Sequence, residues 1–93
     1  MHVNVAEATV EVKNRLGLHL RAASALAQTA AKFSSKVTVG PSKDELVNAK
    51  SMTSLMMLGA AQGSKLKLRA EGTDAKEALK AVQELFDDKF GEE

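Results

Sequence analysis

The chain has 93 residues, with 13 lysines and arginines against 12 acids and a formal net charge of +1. This balance gives no basic surface for nucleic acid or an anionic membrane, and the absence of cysteine excludes disulfides and thiolate metal sites. Since no secretory signal pattern and no span-length apolar run is present, we expect one soluble, cytoplasmic domain over residues 1–93.

The first half of the chain alternates between strand and helix patterns. Apolar and polar side chains alternate up to residue 13, which predicts a half-buried strand that begins between Val3 and Ala8. After a break at 14–17, the alanine-rich segment 20–33 carries an apolar stripe at helical spacing. We then expect a strand over residues 36–39 that pairs with a second strand over 45–49, joined by a Gly-Pro turn at 40–44.

A short helix and the last predicted strand follow. Ser51 is a residue type favoured as an N-cap, and it predicts a helix over about 51–58 that ends near Gly59 or Gly63. Residues 64–70 alternate apolar and charged side chains without interruption, which is typical of a strand with one solvated face.

The end of the chain predicts a capped helix and a loose tail. After a turn at 71–73, Asp74 and Glu77 form an acidic variant of the capping box, so we expect the Asp74 side chain to cap the last helix. We expect the tail 91–93 to fray. The apolar stripe of this helix consists of Ala78, Leu79, Val82, Leu85 and Phe86.

The order of these elements is β-α-β-β-α-β-α. Two split β-α-β units in this order predict an α+β open-faced sandwich, with a four-stranded antiparallel sheet and three helices on one face.

A histidine and an arginine stand where the first turn meets the first helix. The first backbone N–H groups of a helix lack intrahelical partners, so His19 and Arg21 lie at a position that suits an anion such as phosphate. Imidazole is also a nucleophile that can carry a covalent group, and the planar guanidinium of arginine matches phosphate oxygens. His19 is therefore a candidate phosphoryl acceptor, against the plainer interpretation of a histidine that only caps a helix or faces solvent.

Residues 17–23, Gly-Leu-His-Leu-Arg-Ala-Ala, resemble the active-site signature of the HPr family, the histidine phosphocarriers of the bacterial phosphotransferase system. Residues 48–59 and 68–75 also follow the family pattern. The resemblance implies an HPr-like fold and phosphoryl transfer through the δ nitrogen of His19, with Arg21 stabilising the phosphoryl oxygens. It implies enzyme I as donor, IIA-type proteins as acceptors, a carrier rather than an enzyme, and no metal or cofactor.

The same resemblance suggests a docking surface beside the histidine. We expect Leu20, Met52, Thr53 and Met56 to face outward as partner contacts, because methionine suits surfaces that adapt to several partners. Leu55, Met57 and Leu58 are expected in the core. The chain departs from the family at Leu20, usually alanine, and at Ala22, usually proline. We expect Ala22 to cost little and to leave the anion site intact, and Leu20 either to enlarge the docking surface or to alter partner choice.

Ser51 has two interpretations. The plainer one is an N-cap. By the resemblance, Ser51 is also a candidate for regulatory phosphorylation by an HPr kinase/phosphorylase, and a phosphate there would place negative charge in the docking surface.

Three alternatives stay open at this point. One is a nitrogen-branch regulatory phosphocarrier, which the segment 85–91 resembles. Another is an acylphosphatase-like hydrolase, for which Asn14 and Arg15 are present but no anion-cradling loop surrounds them. A nucleic-acid or metal-binding module would need aromatic strand positions or cysteines, which are absent. Since a carrier must expose one patch to successive partners, we expect a monomer.

Overall fold

The computed structural model describes residues 4–92. The expectations for Val3 and Glu93 lie outside these residues. None of the helices in the described part has the length and apolar composition that a membrane span needs.

The elements follow the predicted order and confirm the fold class. They are β1 (Val5–Glu11), α1 (Leu20–Ala31), β2 (Lys36–Gly40), β3 (Val47–Asn48), α2 (Met52–Met57), β4 (Lys65–Glu71) and α3 (Ala75–Asp87), followed by a 3-10 turn at Lys89–Gly91. The four strands form one antiparallel sheet in the order β1-β4-β2-β3.

The helices pack on one face of this sheet because the strands are apolar on alternate positions. In β4 the side chains of Leu66, Leu68 and Ala70 are buried, whereas Lys65 and Lys67 face solvent, as their alternation predicted. Helix α3 lies against β1 and β4, and α1 packs on α2 and α3. This packing holds the beginning of α1 at one end of the sandwich, where the candidate site lies.

The predicted hairpin partner of β2 is shorter than expected. Only Val47–Asn48 pairs with β2, and Gly40 belongs to the strand rather than to the turn. A Cβ at Gly40 would collide with the carbonyl of Glu45, because the loop folds back over the strand there. The close approach of two backbones therefore explains this glycine.

The prediction that the Asp74 side chain caps α3 is wrong. Asp74 occupies the N-cap position, but its carboxylate makes no hydrogen bond to the first turn of α3. Instead it accepts hydrogen bonds from the backbone nitrogen of Ser34 at 3.0 Å, and from the backbone nitrogen of Ser35 at 2.9 Å and its hydroxyl. The carboxylate thus ties the α1–β2 loop to the start of α3.

Candidate functional site

The loop before α1 is fixed by a backbone contact that requires glycine. Gly17 has φ +70°, and a Cβ there would lie 2.5 Å from the carbonyl oxygen of Ala60. That same oxygen accepts a hydrogen bond from the backbone nitrogen of Leu18 at 2.9 Å, and the Leu18 side chain is buried. The loop is therefore held against residue 60 immediately before His19, which sets where the helix begins.

His19 is the N-cap residue of α1. Its backbone is extended (φ −79°, ψ −177°), and its ring Nδ1 accepts a hydrogen bond from the backbone nitrogen of Arg21 at 3.3 Å. The side chain is 29% exposed, so the ring is accessible at the helix start. A nitrogen that accepts a hydrogen bond carries a lone pair and no proton. The geometry thus leaves Nδ1 as the unprotonated, nucleophilic nitrogen of the ring.

The ring opens into a groove of about 480 Å³ at this end of the sandwich. Two arginines line it, and among residues 4–92 neither guanidinium has a hydrogen-bonding or ion-pairing partner. The positive end of the α1 dipole adds to their charge. This arrangement suits a phosphoryl group. The lining residues are Arg15, Leu16, His19, Leu20, Arg21 and Glu92.

The expectation that the tail frays is wrong for Glu92. Its Oε2 lies 2.6 Å from Nε2 of His19, and its Oε1 accepts a hydrogen bond from Nδ2 of Asn14 at 3.0 Å. Burial favours a higher pKa for this carboxyl, but the hydrogen bonds from Asn14 and His19 outweigh it and hold the pKa of Glu92 below its ordinary value. Glu92 is therefore ionised at neutral pH and belongs to the site.

Sequence reasoning missed Glu92 because it stopped at the end of the last helix. A signal was present in Phe90 and Gly91, an apolar residue followed by a turn residue. Phe90 is buried, and its ring packs edge-to-face on Phe86 at 4.9 Å between centroids. This anchor keeps the tail on the body of the protein.

The residues expected to dock partners are exposed, and two of them adjoin the site. Leu20 is 58% exposed, and Met52, Thr53 and Met56 also face solvent. Leu20 and Met52 line a second open groove together with Arg21, next to the histidine groove. Thr53 and Met56 line neither groove.

The prediction that Met57 lies in the core is wrong, because its residue surface is 81% exposed. Helix α2 has six residues, and only Leu55 is fully buried in it. A residue two positions further on points to the opposite side of a helix, so Met57 faces water when Leu55 faces the core. Leu58 is half-buried against the core.

Ser51 occupies the N-cap of α2. Its hydroxyl oxygen accepts a hydrogen bond from the backbone nitrogen of Ser54 at 3.2 Å. The residue is half-buried and lines neither groove.

The amide nitrogen of Asn14 is not free to position a water molecule, as a small hydrolase would require. This Nδ2 atom donates to the carbonyl of Gly17 at 2.7 Å and to Glu92. Both protons of the amide nitrogen are thereby used to fix the loop and the tail.

Comparisons with known proteins agree on one family. Residues 6–88 match the model of the PTS-HPr family, described as "PTS HPr component phosphorylation site". The chain is 44% identical over 84 residues to the phosphocarrier protein HPr of Neisseria meningitidis, covering 90% of this chain and 93% of that protein.

Solved structures extend the likeness to three dimensions. The crystal structure of HPr from Thermoanaerobacter tengcongensis superposes with a TM-score of 0.88 at 50% identity, over 95% of this chain and 98% of that one. A structure described as an HPr dimer from the same organism superposes with a TM-score of 0.72 at 51% identity, over 94% and 99% of the two chains.

Proposed function

Since the chain belongs to the HPr family of phosphotransferase-system phosphocarriers, we propose that it accepts a phosphoryl group from phospho-enzyme I on Nδ1 of His19 and passes it to a IIA-type protein. The observation that carries this proposal is the direction of Nδ1. This nitrogen accepts from the Arg21 backbone N–H at the start of α1, beside a groove with two arginines.

The transfer needs little from the carrier beyond position and charge. The Nδ1 lone pair attacks phosphorus, and the bond between phosphorus and the donor breaks with its electron pair going to the donor. The phosphoryl oxygens then lie near the first amides of α1 and the Arg21 guanidinium, which stabilise their charge. Transfer to the acceptor reverses these steps, so the carrier returns unchanged.

Partner proteins supply the rest of each active site. The open groove and the exposed Leu20 and Met52 beside it support docking of successive proteins on one surface. Because this surface must be free for each partner in turn, we propose that the working form is a monomer. The absence of cysteine fits a reducing compartment, and we place the exchange in the cytoplasm.

We also propose that an HPr kinase/phosphorylase can modify Ser51. The helix start tolerates a phosphate, but the added charge lies on the element that carries Met52. A partner with an acidic docking surface would then be repelled, and transfer through His19 would slow.

Phosphoryl transfer to His19 can be tested with a labelled donor. Incubation with enzyme I and labelled phosphoenolpyruvate should give label that is lost in acid and stable in alkali. His19→Ala should abolish it, whereas replacing the remote exposed Lys80 by alanine should not. Label that persists in His19→Ala would place the acceptor elsewhere. Sugar-type and nitrogen-type IIA proteins are then added in parallel reactions. The IIA protein that becomes labelled shows whether the carrier serves the sugar branch or the nitrogen branch.

A further inference from the structure

The contact between the tail and the histidine bears on the chemistry of the ring. Glu92 is 16% exposed in its side chain and reaches Nε2 of His19 at 2.6 Å, on the side of the ring opposite the nitrogen that faces Arg21. We propose that Glu92 is a positioning residue. Its carboxylate holds the ring proton on Nε2 and fixes the ring plane, so that Nδ1 alone is free to receive the phosphoryl group. This inference rests on the phosphocarrier function proposed above.

Two independent contacts require the same tautomer. An ionised carboxylate can only accept hydrogen bonds, so Nε2 must be the donor in its short contact with Glu92. On the other side, a backbone N–H can only donate, so Nδ1 must be the acceptor from Arg21. A ring rotated by 180° would lose both bonds, and therefore the pair of contacts selects one orientation and one proton position.

The carboxylate is itself held by a third residue. Asn14 is fully buried, and its Nδ2 lies between two oxygens, the carbonyl of Gly17 and Oε1 of Glu92. Only the nitrogen end of the amide suits two acceptors, so the orientation of Asn14 is unambiguous. Asn14 thus connects the loop before α1 to the carboxylate that orients His19.

The backbone brings Glu92 to the ring by an unusual turn. Lys89, Phe90 and Gly91 have φ of 54°, 56° and 75°, a left-handed run that only the glycine adopts without strain. The burial of Phe90 against Phe86 offsets this strain. The two strained residues thus place the Glu92 carboxylate in its part-buried contact with His19.

The proton position matters as the phosphoryl group arrives. When Nδ1 attacks phosphorus, the N–P bond forms, the bond to the donor breaks, and the imidazole acquires positive charge. The proton stays on Nε2 throughout, and its hydrogen bond to the Glu92 carboxylate becomes charge-assisted. Since Glu92 also covers Nε2, attack by that nitrogen is blocked. No further reactant is needed in either direction.

Glu92→Gln tests this inference, because a neutral amide oxygen accepts a weaker hydrogen bond from Nε2–H than a carboxylate does, and the amide can also donate to that nitrogen. Glu84→Gln is the matched control, since Glu84 is exposed on α3 and lies outside the groove. Two readouts apply: the Nε2–H proton signal of His19 by NMR in the unphosphorylated protein, and the initial rate of labelling by enzyme I. The melting temperature checks that each variant is folded.

In the wild type and in Glu84→Gln we expect a downfield, slowly exchanging Nε2–H signal. In Glu92→Gln that signal should be lost to exchange and labelling should slow about tenfold, as expected for loss of one hydrogen bond to a charged group. A folded Glu92→Gln protein with an unchanged Nε2–H signal or an unchanged labelling rate would overturn the inference alone. Absence of label on His19 in the wild type would overturn the proposed function itself.

Discussion

The Nδ1 atom of His19 lies 3.3 Å from the backbone nitrogen of Arg21, so the side chain that is proposed to carry phosphate also caps the helix that would stabilise it. The backbone N–H group of Arg21, which donates to the unphosphorylated ring, would face the oxygens of a phosphoryl group on Nδ1. Helix capping and phosphoryl binding are thus two uses of one set of unpaired amides. A histidine that caps a helix is, in this position, compatible with function rather than an alternative to it.

The side chain of Arg21 is expected to act on the phosphoryl group and not on the fold. Arg21→Ala should slow labelling by enzyme I about tenfold, because one charge-assisted contact to phosphate is lost. Arg21→Lys should recover part of the rate, since it keeps the charge but loses the planar fork. The measurement is the initial labelling rate, with melting temperature as control. Equal rates in Arg21→Ala and wild type would remove Arg21 from the site.

Gly17 and Gly59 form a matched pair for testing how the loop sets the site. Both have positive φ, but a Cβ at Gly17 would meet the Ala60 carbonyl whereas one at Gly59 meets nothing within 4 Å. We expect Gly59→Ala to cost about 1 kcal/mol from backbone strain alone. Gly17→Ala should cost roughly 3 kcal/mol and also slow labelling, because strain and overpacking combine beside His19.

Urea unfolding of both glycine variants, followed by labelling under native conditions, separates these effects. Similar free energies of unfolding for the two variants would show that the contact with Ala60 does not constrain the loop.

Ser51 variants separate capping from regulation. Ser51→Ala loses the hydrogen bond from the Ser54 nitrogen and should reduce stability by about 1 kcal/mol, with labelling of His19 unchanged. Ser51→Asp keeps a capping oxygen but adds charge to α2, so it should retain stability and weaken transfer from enzyme I. The measurement is KM for the carrier in the labelling reaction. A KM for Ser51→Asp equal to that of Ser51→Ala would argue against regulation at this residue.

The Asp74 carboxylate should make stability depend on pH in the acid range. Hydrogen bonds from the Ser35 hydroxyl and then from the Ser34 backbone lower the pKa of Asp74 below the ordinary 3.8. Because the folded pKa is the lower one, the contribution is complete above pH 3.8 and is lost as the pH falls through the folded value.

Asp74→Asn should therefore lower the melting temperature at neutral pH and flatten its decline below pH 4. Asp44→Asn, in the exposed loop, is the control and should follow the wild type. The measurement is a series of thermal melts across that range, and parallel curves for Asp74→Asn and wild type would exclude the role of this carboxylate.

Local sequence patterns predicted the sheet and the position of His19, because the alternation in β4 and the helix start at Leu20 depend on neighbouring residues. They failed where a distant part of the chain decided the outcome. Asp74 binds donors that lie about 40 residues earlier, at Ser34 and Ser35, and these outcompete the adjacent helix.

Phe90 and Gly91 indicate an anchored turn, but no local pattern shows that Glu92 reaches His19, because both contacts of its carboxylate go to residues more than 70 positions earlier. The position of Glu92 depends on two left-handed residues, Lys89 and Phe90, whose conformation no propensity favours, and on Asn14 at the other end of the chain. The prediction that Met57 lies in the core was wrong for a different reason, because α2 is too short for its apolar residues to define a stripe.

The most direct test of the central claim is the site of the phosphorus on the imidazole ring. Protein labelled with ¹⁵N at histidine should be phosphorylated by enzyme I and phosphoenolpyruvate and then observed by phosphorus–nitrogen NMR. We expect coupling between phosphorus and Nδ1 of His19, with the proton retained on Nε2. Coupling to Nε2, or phosphate on any other residue, would contradict the claim that the start of α1 presents Nδ1 as the acceptor.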